Sequence, residues 1–311
     1  MASVEAMTTT NDSGRRSPPT ERVVQVLDHL VAHRNQRFGL SELARNLGIS
    51  KPTCLGIVTA LVEGGYLTRD SVTKSYGLGP ALIVAGRAAH EGFAIGAVAS
   101  RHLAPVGRAF GTTCSASTVV GDRIVVLDIT APDGVRAAAR VGEVYPFAPP
   151  VGLMYVLWGS DADLDAWLER EPTLPVRIDR ERLTDVVAQC RADGYLVETL
   201  TPLGRRLHSA MAGVRADDLP PQLRELLGDM ASSVGERVHL HRDEGEDGAG
   251  SHAVSVIAAP TYDADGRQSL VVTLHVGESI DRAQIEQRGI ALVAAANAIT
   301  AEIGGRPPRD R

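Results

Sequence analysis

Apolar residues recur at helical spacing in two segments near the start of the chain. In the segment 21–33 they form one stripe of a helix, at positions 23, 24, 26, 27, 30 and 31. The segment 39–50, GLSELARNLGIS, predicts a shorter second helix with Ser41 as its N-cap. Gly48 follows that helix where a tight turn needs a positive φ. The pattern therefore predicts two helices and a turn that leads into a third.

A third helix and a hairpin follow this turn. Ser50 is positioned to cap a helix over residues 51–65, and Pro52 falls in its first turn, where the missing N–H has no helical partner to lose. Two strand-like stretches, residues 66–70 and 75–79, then flank a polar segment. Helix, helix-turn-helix and hairpin, in this order, predict a winged helix-turn-helix.

The pattern changes to strands after two Ala-rich helical stretches. The first stretch predicts a linker helix over residues 80–95, and the second predicts the opening helix of another domain. Strand-like segments at 112–120 and 123–130 flank a Gly-Asp pair, which is a strong hairpin signal. Further strands are predicted at 135–141, 195–200, 252–260 and 269–276, and further helices at 152–158, 163–170, 180–194 and 281–303.

Strands interspersed with helices that pack on one side predict an α+β fold. We expect an N-terminal winged helix-turn-helix and a larger C-terminal domain with an antiparallel sheet flanked by helices. A length of 311 residues agrees with two domains. We divide the chain into a disordered tail (1–16), the winged helix-turn-helix (17–79), a linker helix (80–95), the C-terminal domain (96–305) and a second tail (306–311).

Charge is unevenly distributed along the chain. The net charge is −6, which alone argues against binding to nucleic acid. Residues 14–87, however, contain ten Arg and Lys against five Asp and Glu, so this segment carries +5 and the remainder −11. A basic head attached to an acidic body is able to attract phosphates through the head alone.

Composition predicts a cytoplasmic, nucleoid-associated protein. The sequence has no run of 18 apolar residues, and its start lacks the apolar centre of a signal peptide. Its three cysteines, Cys54, Cys114 and Cys190, are far apart and odd in number, which favours a reducing compartment over a disulfide framework. We interpret Cys54 as a small core residue and not as a redox sensor.

The first 90 residues resemble the isocitrate-lyase-regulator (IclR) family of bacterial transcription factors. The resemblance is carried by ERVVQVLDHL, GLSELARNLGISKPTCLGIVTALVEGGYLTRD and YGLGPAL. A looser resemblance over the rest of the chain includes VGEVYP, the helix that ends in RADGY, and IAAPTYDADGR. The resemblance implies a GAF-like effector domain, a homodimer or dimer of dimers, a palindromic double-stranded DNA operator and a small-molecule effector.

The chain departs from the family pattern in three places. Gly56 stands where the family often has a basic residue on the recognition helix. The effector loop, PFAPPVGLMY at 146–155, is more apolar and stiffer than the usual sequence, and the segment 201–252 is longer than usual. We therefore expect an effector unlike the small carboxylates that some family members sense, namely an apolar molecule or an aromatic acid.

The predicted DNA contacts centre on the N-terminal half of the third helix, because a recognition helix reads base edges there while phosphate contacts set its register. Lys51 is suited to a phosphate or a guanine edge, Thr53 to a phosphate, and Leu55 to a thymine methyl group. Arg69 and Lys74 in the wing are placed to reach the backbone or the minor groove. The full predicted set is Ser41, Ser50, Lys51, Pro52, Thr53, Leu55, Gly56, Thr59, Arg69 and Lys74.

The predicted effector site centres on the stiff loop and on a helix start at Gly152, where free N–H groups suit an anion. If strand alternation holds, Val256 faces the site and Ser255 faces away from it. The predicted effector contacts are Cys114, Phe147, Ala148, Pro149, Pro150, Val151, Gly152, Tyr155 and Val256.

The sequence predicts no metal site, no cofactor site and no catalytic site. His239, His241 and His252 lie near acidic residues, but their spacing fits no standard zinc motif. The DADG sequence at 263–266 lacks the glutamate of a calcium loop at its twelfth position, so we interpret it as a turn. The sequence contains no hydrolase, metalloprotease or nucleotide-binding motif.

The sequence thus predicts a ligand-responsive DNA-binding regulator that is not an enzyme, and in particular a repressor of a catabolic or lipid-related operon. Two alternatives remain open. One is a ligand-independent DNA-binding dimer whose sensory pocket has lost its function. The other is an enzyme acting on its own ligand, which the lack of a nucleophile–base motif disfavours.

Overall fold

A computed structural model describes residues 17–92, 94–173, 179–199 and 251–308. These residues form two compact units, which meet in sequence between Gly92 and Ala94. The predicted linker helix is therefore part of the first unit. Within the described residues, no helix has both the length and the apolar character needed to span a membrane.

The first unit is a winged helix-turn-helix, as predicted. Its three-helix core is followed by a two-stranded antiparallel wing, in which Leu67 pairs with Leu78 and Arg69 with Tyr76. A fourth helix comes next. In chain order the elements are α1 (Pro18–Ala32), α2 (Leu40–Asn46), α3 (Lys51–Glu63), β1 (Leu67–Arg69), β2 (Tyr76–Leu78) and α4 (Ala81–Gly92).

The helix starts in this unit follow from capping. Ser50 caps α3, because its hydroxyl accepts a hydrogen bond from the N–H of Thr53 at 3.3 Å. The prediction of Ser41 as the cap of α2 is wrong. Gly39 occupies that position, its carbonyl accepts the N–H of Leu43, and its own N–H donates to the carboxylate of Glu42 at 3.3 Å. Ser41 therefore lies inside the first turn of α2.

The second unit is the predicted α+β domain with an antiparallel sheet. Its helices are α5 (Ala94–Phe110), α6 (Asp161–Leu168), α7 (Arg180–Asp193) and α8 (Arg282–Glu302). Its strands are β3 (Cys114–Val120), β4 (Arg123–Thr130), β5 (Val144–Pro146), β6 (Leu196–Glu198), β7 (His252–Tyr262) and β8 (Gln268–Ile280). The strand order across the sheet is β5-β4-β3-β8-β7-β6, and every pair of neighbours is antiparallel.

The two faces of this sheet carry different layers. Helices α5 and α8 pack on one face, over an apolar core that includes Leu103, Leu274 and Leu292. On the other face, the segment 147–158 packs with α6 and α7 around Trp167, forming a second apolar core. Alternate residues of each central strand therefore belong to different environments.

Two predicted elements of this unit are wrong. Residues 135–141 are not a strand; Gly134 and Gly142 take positive φ on either side, and β5 pairs with β4 only from Val144 onward. The predicted helix at 152–158 is a single 3₁₀ turn, Leu153–Tyr155.

Gly79 offers a test of how tightly the wing is joined to the helices. A methyl group added to Gly79 would overlap the carbonyl oxygen of Gly65, whereas one added to Gly56 on α3 meets nothing within 4 Å. We expect Gly79→Ala to lower the free energy of unfolding by about 1–3 kcal/mol, as overpacking does. Gly56→Ala should raise it by about 0.5–1 kcal/mol, since alanine is the better helix former. Urea unfolding measures both, and equal effects would contradict the packing.

Candidate DNA interface and effector cavity

The outer surface of α3 presents five of the ten predicted DNA contacts to solvent. Lys51, Leu55 and Thr59 are exposed and follow each other at four-residue intervals, which places them in one row along the helix. Pro52 and Gly56 form the neighbouring exposed row. Thr53 is half-buried, and its hydroxyl lies 2.8 Å from that of Ser50, so its side chain supports the cap. Cys54 and Val58 point into the core and are fully buried.

The wing brings cations next to this helix. Arg69 is exposed on β1, and its guanidinium lies 5.8 Å from the ring centre of Tyr76. Lys74 is exposed in the wing turn, with a positive φ of 56° and its Nζ 2.6 Å from the carbonyl oxygen of Ser71. An open cleft of about 410 Å³ joins these wing residues to the start of α2 and to α3. Its lining includes Ser41, Arg45, Leu55, Arg69 and Lys74.

Asp70 holds the wing turn in shape. Its carboxylate accepts hydrogen bonds from the N–H of Thr73 at 2.7 Å, from the N–H of Val72 at 2.9 Å and from the Thr73 hydroxyl at 3.0 Å. The Thr73 N–H in particular lowers the pKa of Asp70. The acidic residue nearest the wing tip therefore organises the turn that presents Lys74.

The structure places all ten predicted DNA contacts on the surface of the first unit, nine of them exposed and Thr53 half-buried. Arg45 was not predicted, although it lines the same cleft as Ser41, Arg69 and Lys74. The sequence held a signal for it, because Arg45 follows Ser41 by four residues and so lies on the same face of α2.

The second unit contains a cavity of about 510 Å³ against the sheet face opposite α5 and α8. On β3, Cys114 and Ala116 belong to the helix-side core, while Ser115 and Ser117 line the cavity. On β8, Leu274 belongs to that core, while the neighbouring positions 273 and 275 line the cavity. Strand alternation therefore decides which side chains reach the cavity.

Hydrogen-bonded pairs line the floor of the cavity. The Oγ of Ser115 lies 2.9 Å from Nε2 of His275, and the Oγ of Ser117 lies 2.6 Å from the phenolic oxygen of Tyr155. Ser117 also donates to the carbonyl oxygen of Val271 at 3.3 Å. Ser115, Ser117 and Thr273 are buried, so the floor is polar although it lies inside the domain.

Apolar side chains form the walls, and two charged residues lie among the lining. The apolar part includes Ile124, Val126, Val151, Leu153, Leu196 and Val256. Arg136 is exposed and lies on the irregular segment between β4 and β5, while Glu198 is half-buried at the end of β6. Apolar walls with a few polar groups are typical of small-molecule sites.

The predicted effector residues divide into two groups. Pro150, Val151, Gly152, Tyr155 and Val256 line the cavity. Cys114 lies on the opposite side of the sheet, and Phe147 is buried in the core beside the loop. Neither these two nor Ala148 and Pro149 are among the lining residues. The loop thus contributes through its second half, from the cis bond between Pro149 and Pro150 onward.

Three further expectations about the pocket need correction. Ser255 was expected to face away, but the register between β7 and β8 shifts between Val254 and Val256, and both Ser255 and Val256 line the cavity. The helix start expected at Gly152 is a 3₁₀ turn of three residues, which is too short to act as an anion site. The pocket is also more polar than its loop suggested, because the central strands supply serine, threonine and histidine.

Burial shifts the pKa values of two side chains on opposite sides of this sheet. Desolvation raises the pKa of the Tyr155 phenol, against an opposing effect of the Ser117 hydrogen bond, and the carboxylate of Glu198 raises it further. Burial likewise raises the pKa of the Cys114 thiol to about 12, on the helix side of the sheet. A tyrosine phenol is neutral near pH 7 even at its ordinary pKa, so the Tyr155 hydroxyl serves the cavity as a neutral hydrogen-bonding group.

No group of three potential metal ligands occurs among the described residues. His239 and His241 lie outside the described residues, and His252 lies on β7. The sequence at 263–266 forms the predicted turn, in which Asp263 accepts hydrogen bonds from the N–H groups of Asp265 and Arg267, both at 2.9 Å.

Known proteins match both units. The model of the IclR helix-turn-helix domain matches residues 19–71. The glycerol operon regulatory protein of Streptomyces coelicolor is 36% identical over 66 residues, a match that spans 21% of this chain and only 26% of that relative's length.

Solved structures extend the likeness to the whole fold. An IclR transcriptional regulator from Alicyclobacillus acidocaldarius aligns over 94% of this chain and 100% of its own, with a TM-score of 0.64 and 20% identity. An IclR homolog from Microbacterium hydrocarbonoxydans, solved in complex with 4-hydroxybenzoate, aligns over 92% of this chain and 98% of its own, with a TM-score of 0.56 and 16% identity. The chain therefore carries the helix-turn-helix domain of the IclR family and has the fold of IclR-type regulators.

Proposed function

We propose that the chain is a ligand-responsive transcriptional regulator that binds a palindromic double-stranded DNA operator as a homodimer or a dimer of dimers. One observation carries this proposal. An IclR-type helix-turn-helix with an exposed recognition helix is joined, in one chain, to a unit that encloses a cavity of about 510 Å³. Binding of an effector there would shift the population of dimer geometries that fit two operator half-sites.

The DNA-binding step rests on the cations around α3. Lys51 lies at its first turn, and Arg45, Arg69 and Lys74 line the adjoining cleft. Together they form a positive surface on a segment that carries +5, whereas the remainder of the chain carries −11. Phosphates would therefore be drawn to this unit, and the N-terminal half of α3 would enter the major groove.

Lys51 provides a test of this interface. Lys51→Ala should weaken operator binding and reduce the slope of log affinity against log salt by about one unit, since one released counterion corresponds to one phosphate contact. Fluorescence anisotropy over a salt series measures the slope. Arg267→Ala, in the exposed turn between β7 and β8, is the control and should leave the slope unchanged. An unchanged slope for Lys51→Ala would remove Lys51 from the interface.

We propose an aromatic acid as the effector class. Its ring would lie against the apolar walls formed by residues such as Val126 and Leu196, and its hydroxyl or carboxylate would hydrogen-bond to the floor at Ser115, Ser117 and Tyr155. The exposed Arg136 in the lining offers a positive charge to a carboxylate. The complex of the Microbacterium homolog with 4-hydroxybenzoate supports this class.

Thermal unfolding with a ligand panel tests the cavity. The panel is 4-hydroxybenzoate, benzoate and glycerol, the last because of the name of the Streptomyces relative. A ligand at about 100 times its Kd should stabilise the protein by about 2.7 kcal/mol. Tyr155→Phe removes one hydroxyl and should weaken binding of a hydroxylated ligand about fivefold.

Thr118→Val is the matched control for the ligand panel. It removes a hydroxyl from β3, one residue after Ser117, the partner of Tyr155. Thr118 donates to the carbonyl oxygen of Ser269 at 2.9 Å and does not line the cavity. Equal loss of binding in both variants would mean that Tyr155 acts through folding and not through contact.

The homodimer is supported by an exposed apolar surface on α4. Ile83 is 75% exposed and Val84 is 70% exposed, although both are large apolar residues on adjacent positions of a helix. A second copy of the chain would cover them and remove apolar area from water.

Charge placed on α4 tests this contact. Ile83→Asp should shift the protein toward monomer in analytical ultracentrifugation, because an unpaired carboxylate would be buried at the contact. Val72→Asp, at the more exposed wing turn, is the control and should leave the oligomeric state unchanged. A dimer of unchanged affinity in the Ile83 variant would place the interface elsewhere.

A ligand-independent DNA-binding dimer is the second candidate. It is favoured by the floor of the cavity, where Ser117 and Tyr155 satisfy each other without a ligand. Operator binding that no member of the panel alters would support it. We further propose repression of a catabolic operon, for which the glycerol operon relative is the support.

A further inference from the structure

The recognition helix lacks the side chains that usually read bases by paired hydrogen bonds. Arginine pairs with guanine, and asparagine or glutamine with adenine, through two hydrogen bonds each. None of these three residue types occurs from Lys51 to Glu63, a stretch that the structure describes completely. The exposed residues in the first two turns are Lys51, Pro52, Leu55 and Gly56, which offer one ammonium group and otherwise apolar atoms.

An exposed leucine occupies the centre of the surface that would face the bases. Leu55 is 47% exposed and stands between Lys51 and Thr59 in one row of α3. It also borders the cleft that Arg45, Arg69 and Lys74 line. Three cations suited to phosphates thus line the same cleft as this apolar side chain, with Glu42 as the one carboxylate among the lining residues.

We propose that Leu55 is the specificity-determining residue of this chain and that it reads thymine through its 5-methyl group. The inference rests on the proposed DNA-binding function. The thymine methyl is the apolar group that the major groove offers, and contact with it removes apolar area of both partners from water. Thr59 adds a γ-methyl four residues along the same row. Gly56 beside it has open space where a side chain would stand, which lets the helix approach the bases closely.

Thymine-to-uracil substitution isolates this contact, because uracil differs from thymine only by the missing methyl. A preferred duplex is first selected from a random pool with the full-length chain, and each thymine is then replaced singly by uracil. In each half-site at least one replacement should weaken wild-type binding about fourfold, the effect of one buried methyl-sized group. Leu55→Ala should bind the thymine duplex more weakly than the wild type does, by a similar factor. It should bind the uracil duplex no more weakly than it binds the thymine duplex.

Two further variants separate contact from folding. Leu55→Met keeps an apolar side chain and should still discriminate thymine from uracil at that position. Val120→Ala is the control, because it removes exposed apolar surface from the second unit. It should discriminate thymine from uracil as the wild type does. Unfolding midpoints equal to that of the wild type identify the loss in Leu55→Ala as a lost contact.

The outcomes distinguish this inference from the proposed function. Equal wild-type affinity for thymine and uracil at every position overturns the role of Leu55 while leaving DNA binding intact. Undiminished discrimination by Leu55→Ala overturns it as well. If no duplex is preferred over random sequence, the proposed function itself fails, and this inference fails with it.

Discussion

The alternation of side chains along β3 and β8 is the constraint on which the second unit depends. One set of alternate residues, with Cys114 and Leu274 among them, closes the apolar core against α5 and α8. The other set carries hydroxyl and imidazole groups, which would be costly to bury without partners. Ser115 and Ser117 find those partners in His275 and Tyr155, across the sheet and from the covering loop. The pairing allows a polar floor to exist inside the domain, and the cavity exists because that floor is not filled by apolar packing.

Much of the fold was predictable from local patterns, and the two wrong elements of the second unit share one cause. Helix caps and the hairpin between β3 and β4 depend on a few neighbouring residues, so the sequence displays them directly, although the cap of α2 is Gly39 and not the predicted Ser41. The conformations of segment 135–141 and of the stretch after Gly152 depend on what covers the sheet, which a local pattern does not contain. Residues 135–141 form a loop and not the predicted strand, because Gly134 and Gly142 take positive φ and turn the chain on either side of them.

The candidate DNA interface and the cavity differed in how well the sequence predicted them, for the same reason. The predicted DNA contacts lie on short local elements, so helical spacing alone placed Lys51, Leu55 and Thr59 in one row. The cavity is lined by residues from all six strands and from the segments between them, which are far apart in sequence. An argument from one strand alone misplaced Ser255, because the register of β7 against β8 shifts beside it. Alternate hydroxyl residues at 113, 115 and 117 were visible in the sequence as a polar stripe on a buried strand, and they were the available signal for the floor.

The junction of recognition helix, wing and α4 has a mechanical consequence. The N–H of Gly79 donates to the carbonyl oxygen of Tyr66 at 2.7 Å, and the N–H of Ala81 donates to that of Gly65 at 3.0 Å. The base of α4 is thereby fastened to the residues that end α3 and begin the wing. Tilting α4 against the three-helix core would require these two hydrogen bonds to break. A displacement of α4 that leaves them intact would carry the end of α3 and the start of the wing along with it.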